Sequence, residues 1–389
     1  ATAHIGDGSV IENSRIVLEN GKITFIGENN SSKTESKGQF INADGKHVYP
    51  GFIALNSTLG LAEIDAVKAT LDTREMGAFN PHIRSIIAYN TESKVTETVL
   101  VNGVLMGQIT PRGGRISGTS SMVQFDAWNY EDALVKEDEG IHLNWPTSFN
   151  RSGWWAQPGS LKENKNYTKQ TQEIITFFDE NKQIESDKIN LKQVALKGLF
   201  DGNKTLYIHV NGEKEIIDAI AFKNQFAIKK IVIIGGFEST KQTELLIENN
   251  IAVIIQRVHS LPTAEDQDIK LPFKNAKILD DAGITVAFDT AGSMERMNTR
   301  NLPFLAGTAV AYGLDYEKAI KMLTLNAAKI TGIDKQIGTL EVGKDATLFI
   351  STGDALDMRT NNVTHVLIKG KFASLDTHQK RLYRKFKDK

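Results

Sequence analysis

Apolar and polar positions alternate at both ends of the chain and cluster at helical spacing between them. In "SRIVLENGKITFIG" (14–27) two β-rich runs flank Asn20-Gly21, a dipeptide suited to a type I′ hairpin turn. The far end reads alike. "DATLFIST" (345–352) and "VTHVLIKGKFA" (363–373) are short strand-like runs, with Lys369-Gly370-Lys371 as a turn. Between them the period changes. "TLYIHV" (205–210) is a strand, and "EKEIIDAIAFKNQF" after it is helical by the spacing of Ile216, Ile217, Ile220 and Ala221. "KKIVIIGG", "TKQTELLIENN", "IAVIIQ", "NAKILDDAG" and "ITVAFDT" then repeat strand, helix and strand. That alternation predicts βαβ units and a parallel sheet. "LDYEKAIKMLTLNAAKITG" (314–332) predicts a helix capped by Asp315 and ended by Gly332. Residues 151–188 are polar and charged, with adjacent Trp154 and Trp155, and predict a loop and a solvated helix over the body of the fold.

A length of 389 residues suits one barrel plus a smaller domain. The composition, 40% hydrophobic and 24% charged, is that of a soluble globular protein. A formal net charge of -1, from 46 basic and 47 acidic residues, gives no overall electrostatic attraction to nucleic acid or an anionic membrane. No apolar run approaches the roughly 18 residues that span a bilayer. The lack of cysteine excludes disulfides, thiolate zinc sites and cysteine nucleophiles. The chain opens at "ATAHIGDGS" without a basic or apolar leader. Either no signal peptide belongs to it, or the sequence begins after one and the compartment is periplasmic or extracellular.

One strand end poses the chemical question. In "PGFIALNSTLG" (50–60) an apolar run breaks at Asn56, Ser57 and Thr58, residue types that make weak metal ligands and poor bases. His209 ends the strand "YIHV", and Asp289 stands in "VAFDT". "ITPRGGRISGTSSMVQFDAW" (109–128) predicts a Gly/Ser loop between two apolar runs, whose amides and arginines, Arg112 and Arg115, could hold a carboxylate or phosphate. It lacks the Lys-Ser/Thr ending of a P-loop. His259, in "QRVHSLP", follows a strand and is a candidate substrate contact. His82 and His142 are placed in loops. His4, His47 and His365 are placed in the β-rich ends.

Three stretches together resemble the amidohydrolase superfamily, and most of all its imidazolonepropionase-like and prolidase-like branch. "HVYPGFIALNSTLG" (47–60) is similar to the family's strand-one signature, Pro-Gly-hydrophobic-Ile-Asp-x-His-x-His. "LTLNAAKITGIDKQIGTLEVGKDATLFI" (323–350) resembles its C-terminal signature, and "HIGDGSVIENSRIVLENGKITFIG" (4–27) its N-terminal hairpin. The resemblance implies a (β/α)8 TIM barrel over 49–335 and a small composite β-sandwich from 1–48 and 336–389. It also implies a site at the C-terminal ends of the barrel strands.

The family holds one or two metal ions, usually zinc, that polarise a carbonyl and acidify a water. The implied ligands are a His-x-His on strand one, a carboxylated lysine on strand four, a histidine on each of strands five and six, and an aspartate on strand eight. The first pair falls on Asn56 and Thr58, both departures. No strand-four lysine can be placed. His209 matches the strand-five histidine, the strand-six position falls on Gly235, and the aspartate position on Ala291. Asp289, two residues earlier, keeps the inward side of an alternating strand. His209 could equally be a satisfied histidine at a strand end, Asp289 a buried polar anchor, and the Arg112 loop a plain glycine-shaped turn.

The expected function is therefore an amidohydrolase-like pseudoenzyme without the binuclear centre. It would bind a small molecule, a peptide, a second copy or an active paralogue, and hold no tightly bound cofactor. The alternative is a hydrolase of peptide or cyclic C–N bonds with a reduced metal site, holding zinc or another divalent ion. A third reading is a structural subunit.

Overall fold

The computed structural model describes residues 1–29, 38–154, 156–182, 189–262, 267–292 and 294–389. Eight of the apolar runs close into a barrel. They are β1 (Phe52–Ser57), β2 (Val104–Ile109), β3 (Ile116–Gln124), β4 (Leu134–Asn144), β5 (Thr205–Val210), β6 (Ile231–Gly235), β7 (Ala252–Gln256) and β8 (Val286–Asp289). Every residue of β1, β2, β3, β6 and β8 is buried, the largely polar β3 included, because both faces of these strands are covered.

One strand departs from the expected pattern: β3 runs antiparallel to both β2 and β4. Its cause is the length of the preceding connection. Only residues 110–115 separate β2 from β3, and a parallel crossover needs roughly a dozen. The chain reverses instead through Gly113 (φ 84°) and Gly114 (φ 64°). A Cβ at Gly114 would lie 2.9 Å from the Ala78 carbonyl oxygen, so glycine is required there. The expected long Gly/Ser loop is thus a tight hairpin turn, and most of its residues are strand. The barrel closes where β8 meets β1, through the single register pair Asp289–Leu55.

Both chain ends enter one six-stranded sheet, ordered Lys371–Phe372, Val363–Ile368, Leu348–Ser351, His47–Pro50, Thr2–His4, Val10–Ile11. A separate hairpin, Ser14–Glu19 and Lys22–Glu28, turns at Asn20 (φ 52°) and Gly21 (φ 79°), as a type I′ turn requires. Ala3, Ile5, Ile23 and Val48 share a core with Leu340, Leu348, Ile350 and Leu367. Removing residues 335–389 should strip four large aliphatic side chains, Leu340, Leu348, Ile350 and Leu367, from that core. At about 1.5–3 kcal/mol each, the loss rivals the whole stability of a typical domain. Such a truncation is expected to be insoluble or to melt without cooperativity. A soluble fragment with a sharp calorimetric transition would contradict the shared core.

Two expectations change in detail. The helix over 314–332 is broken at Thr324 (ψ −90°) into Tyr316–Leu323 and Leu325–Thr331. Asp315 does cap it, accepting from the Lys318 amide at 3.0 Å, and Gly332 ends it at φ 70°. The segment after β4 holds an exposed hairpin, Phe149–Trp154 with Gln157–Glu163, before the helix Tyr167–Asn181. Trp154 is exposed, and Trp155 lies outside the described residues.

Candidate functional site

The C-terminal ends of the barrel strands gather a continuous polar network. It begins where β1 stops. Asn56 takes a left-handed backbone (φ 50°), and the pairing with β2 slips between Ala54 and Ser57. Strict alternation would send Ser57 and Thr58 to opposite sides. The distortion instead turns both hydroxyls onto one carboxylate. Glu295 accepts from Ser57 Oγ at 2.7 Å, from Thr58 Oγ1 at 2.5 Å and from the Thr58 amide at 3.2 Å. All three side chains are buried.

Asn56 serves a second carboxylate. Its Nδ2 donates to Asp289 Oδ2 at 2.8 Å, and the Ala291 amide donates to Asp289 Oδ1 at 2.8 Å. Burial pushes the Asp289 carboxyl up to about 7, against the opposing pull of those two hydrogen bonds and of the Arg112 charge. Asn56 Oδ1 is buried and has no hydrogen-bond partner among the described residues. Arg112, carried by the β2–β3 turn, reaches back with Nη2 to the Asn56 carbonyl oxygen at 2.7 Å and with Nη1 to that of Thr110 at 3.2 Å. Burial lowers its pKa, and Glu295 and Asp289 act the other way. It forms no direct ion pair with either, so its charge acts across the mouth as a whole.

The other half of the network lies on β2 to β5. The Asn56 amide donates to Gln108 Oε1 at 3.0 Å, and Gln108 Nε2 donates to Glu139 Oε1 at 2.7 Å. Glu139 also accepts from Ser120 Oγ at 2.6 Å and Tyr207 OH at 2.7 Å. Those donors fix the histidines beyond. With Glu139 ionised, Ser120 gives its proton to that carboxylate and accepts from His142 Nε2, 2.9 Å away. His142 Nδ1 is then a bare acceptor, and the proton between it and His209, at 3.0 Å, belongs to His209 Nε2. Burial holds both imidazoles neutral: His209 is pushed down to about 3 and His142 well below its usual value. Tyr207 stacks on His142 with ring centres 4.8 Å apart.

The structure brings together five of the residues singled out from sequence: Asn56, Thr58, Arg112, His209 and Asp289. His259 stands apart from them, paired through Nε2 with Thr308 Oγ1 at 2.6 Å. His142, expected in a loop, is a buried residue of β4, because that strand runs on to Asn144. Gln108, Ser120, Glu139 and Glu295 were not visible as site residues. Glu139 follows Asp138, whose φ of 47° interrupts the alternation that would have given its side. Glu295 lies on a short helix after β8, with no motif around it.

Residues 196–373 match the amidohydrolase family. Over 381 residues it is 23% identical to a 5′-deoxyadenosine deaminase of Methanosarcina acetivorans, covering 92% of this chain and 83% of that one. It is 20% identical over 387 residues to an imidazolonepropionase of Flavobacterium johnsoniae, covering 90% and 87%. The solved structure of an amidohydrolase from Thermotoga maritima superimposes with a TM-score of 0.78 at 23% identity, covering 92% of this chain and 94% of that one. The closed eight-stranded barrel is consistent with the one the resemblance implied, apart from the antiparallel β3.

The amidohydrolase metal positions can be tested residue by residue. His209 Nε2 is committed as a donor to His142, so binding an ion there would break the chain that ends at Glu139. Asn56 presents an amide, Gly235 has no side chain, and Lys136 of β4 bonds the Thr331 carbonyl oxygen at 2.8 Å. Among the described residues, no group of three or more His, Asp or Glu side chains is placed to hold an ion.

Proposed function

We propose that this amidohydrolase-fold protein has given up the binuclear metal centre and uses its barrel mouth to bind a small molecule or peptide without hydrolysing it. One observation carries the reading. The Arg112 guanidinium, bonded to the Asn56 carbonyl oxygen, supplies a built-in cation whose charge acts on Asp289 and Glu295, so the protein itself offsets the carboxylates at the mouth. A divalent ion brought there would face that fixed positive charge and a donor set of amide, hydroxyl and neutral, engaged imidazole. Asn56 Oδ1, buried and unpartnered, is a vacant acceptor for a ligand N–H.

A hydrolase acting on a C–N bond is the second reading. It is favoured by Asp289, whose carboxyl titrates near neutrality where a general base works best, and by the deaminase and imidazolonepropionase names of the relatives.

Protein purified from zinc-replete medium without chelator is expected to carry well under one tightly held transition metal per chain. It should show negligible turnover of dipeptides, cyclic amides and deoxyadenosine, and His209→Ala should change neither result. Near-stoichiometric zinc that disappears in His209→Ala together with activity would establish the hydrolase reading instead.

A further inference from the structure

The formal charge of -1 over the whole chain conceals a strongly basic segment. The helix His378–Phe386 carries Lys380, Arg381, Arg384 and Lys385, and Lys387 and Lys389 follow it, against the single acid Asp388. None of its nine residues is buried. It is nonetheless held firmly at its start. Thr377 caps it through the Lys380 amide, and Glu97 accepts from the His378 amide at 2.6 Å and from Arg381 at 3.1 Å. Arg384 is matched by Asp376 at 2.7 Å.

Beyond that anchor the helix presents apolar side chains to solvent. Leu382, Tyr383 and Phe386 are 41%, 70% and 49% exposed. Leu382 and Phe386 are one turn apart, and Lys385 and Lys389 share their face by the same spacing. The ammonium groups of Lys385 and Lys389 lie 5.3 and 5.2 Å from the centre of the Phe386 ring. Apolar residues flanked by lysines on one exposed helical face are the pattern of a helix lying in a membrane interface. There the rings and aliphatic chains enter the acyl boundary while the ammonium groups extend to the phosphates.

We propose that the helix 378–386 is a docking surface for anionic lipid headgroups. Leu382 and Phe386 insert, and Lys385 and Lys389 pair with the lipid phosphates. The exposed apolar pair favours a bilayer over nucleic acid, which offers these two side chains no apolar phase to enter. The anchor through Glu97 spares the helix the cost of ordering on contact. The amidohydrolase reading of the barrel plays no part in this proposal.

The test is co-sedimentation of the full chain with vesicles of phosphatidylcholine alone or with 30% phosphatidylserine. Binding to the anionic vesicles should be at least tenfold stronger in 0.1 M salt and should largely disappear in 0.5 M salt. Leu382→Ser with Phe386→Ser should cut it about tenfold, as should Lys385→Glu with Lys389→Glu. All four positions are exposed, so melting temperatures should match the unmodified protein and exclude unfolding as the cause. No binding to either vesicle would overturn the proposal. So would binding that survives the serine pair, which would show surface adsorption without insertion, or binding to duplex DNA in preference to vesicles.

Discussion

Asp289→Asn is expected to stabilise the protein above neutral pH and to leave it nearly unchanged at pH 4. The sign follows from the direction of the shift. An aspartate in an unfolded chain titrates near 3.9, whereas buried Asp289 titrates at about 7. Below pH 4 the carboxyl is protonated in both states and contributes no difference. As pH rises toward 7 the unfolded chain releases its proton and the folded one resists, so the folded state loses stability throughout that window. Above about pH 7 the loss is complete, at roughly 4 kcal/mol for three pKa units. The amide of the variant carries no charge and escapes the loss. A flip of the Asn56 amide would bring its unpartnered Oδ1 to the new N–H, preserving contact across the pair. Urea unfolding of both proteins from pH 4 to pH 8 should give curves that diverge with pH. The histidines, common to both, cancel in the difference. Parallel curves would mean that Asp289 keeps an ordinary carboxyl and that burial does not govern it.

Arg112→Met is expected to have the opposite effect, a loss of about 3 kcal/mol at pH 8. The carbonyl oxygens of Asn56 and Thr110 lose charged donors, and two buried carboxylates lose the positive charge that compensates them. The loss should shrink toward pH 4, where Asp289 is neutral. Combining Arg112→Met with Asp289→Asn should therefore cost less than the sum of the separate effects. Such a double-mutant cycle isolates the coupling between cation and carboxylate. Strict additivity at pH 8 would show that Arg112 acts only through its backbone hydrogen bonds, and would remove the argument that it stands in for a metal.

Strand and helix periods, the Asn20-Gly21 turn and the signatures at 47–60 and 323–350 were legible because each depends on neighbours in sequence. The barrel and the sheet shared by both chain ends follow from them. The reversal of β3 was harder to read. "ITPRGGRISG" has the glycines of any loop, and only the count of residues between two buried strands betrays a hairpin. Half of the mouth network was legible for the same reason: Asn56, Thr58, His209 and Asp289 end apolar runs. Glu139, Ser120, Gln108 and His142 lie inside strands, where a buried polar residue is read from sequence as a break in the pattern. Their partners are spread over β1 to β5, so their satisfaction is a tertiary fact. Glu295 was hidden because it reaches Ser57 and Thr58 across more than two hundred positions.

The barrel closes between β8 and β1 through one backbone pairing, whereas β5 and β6 share five. Side chains close the rest of that seam: Asn56 to Asp289, and Ser57 and Thr58 to Glu295. The small polar residues that interrupt the first strand therefore act as a clasp. The lifetime of the closed barrel depends on five side chains at its rim. Transient openings should start at that seam, and amide hydrogens near Leu55 and Asp289 should exchange with solvent sooner than those between β5 and β6. Any ligand that spans Asn56 and Glu295 would then lengthen the closed state by bridging the two staves, and would bind most tightly to a barrel that is already shut.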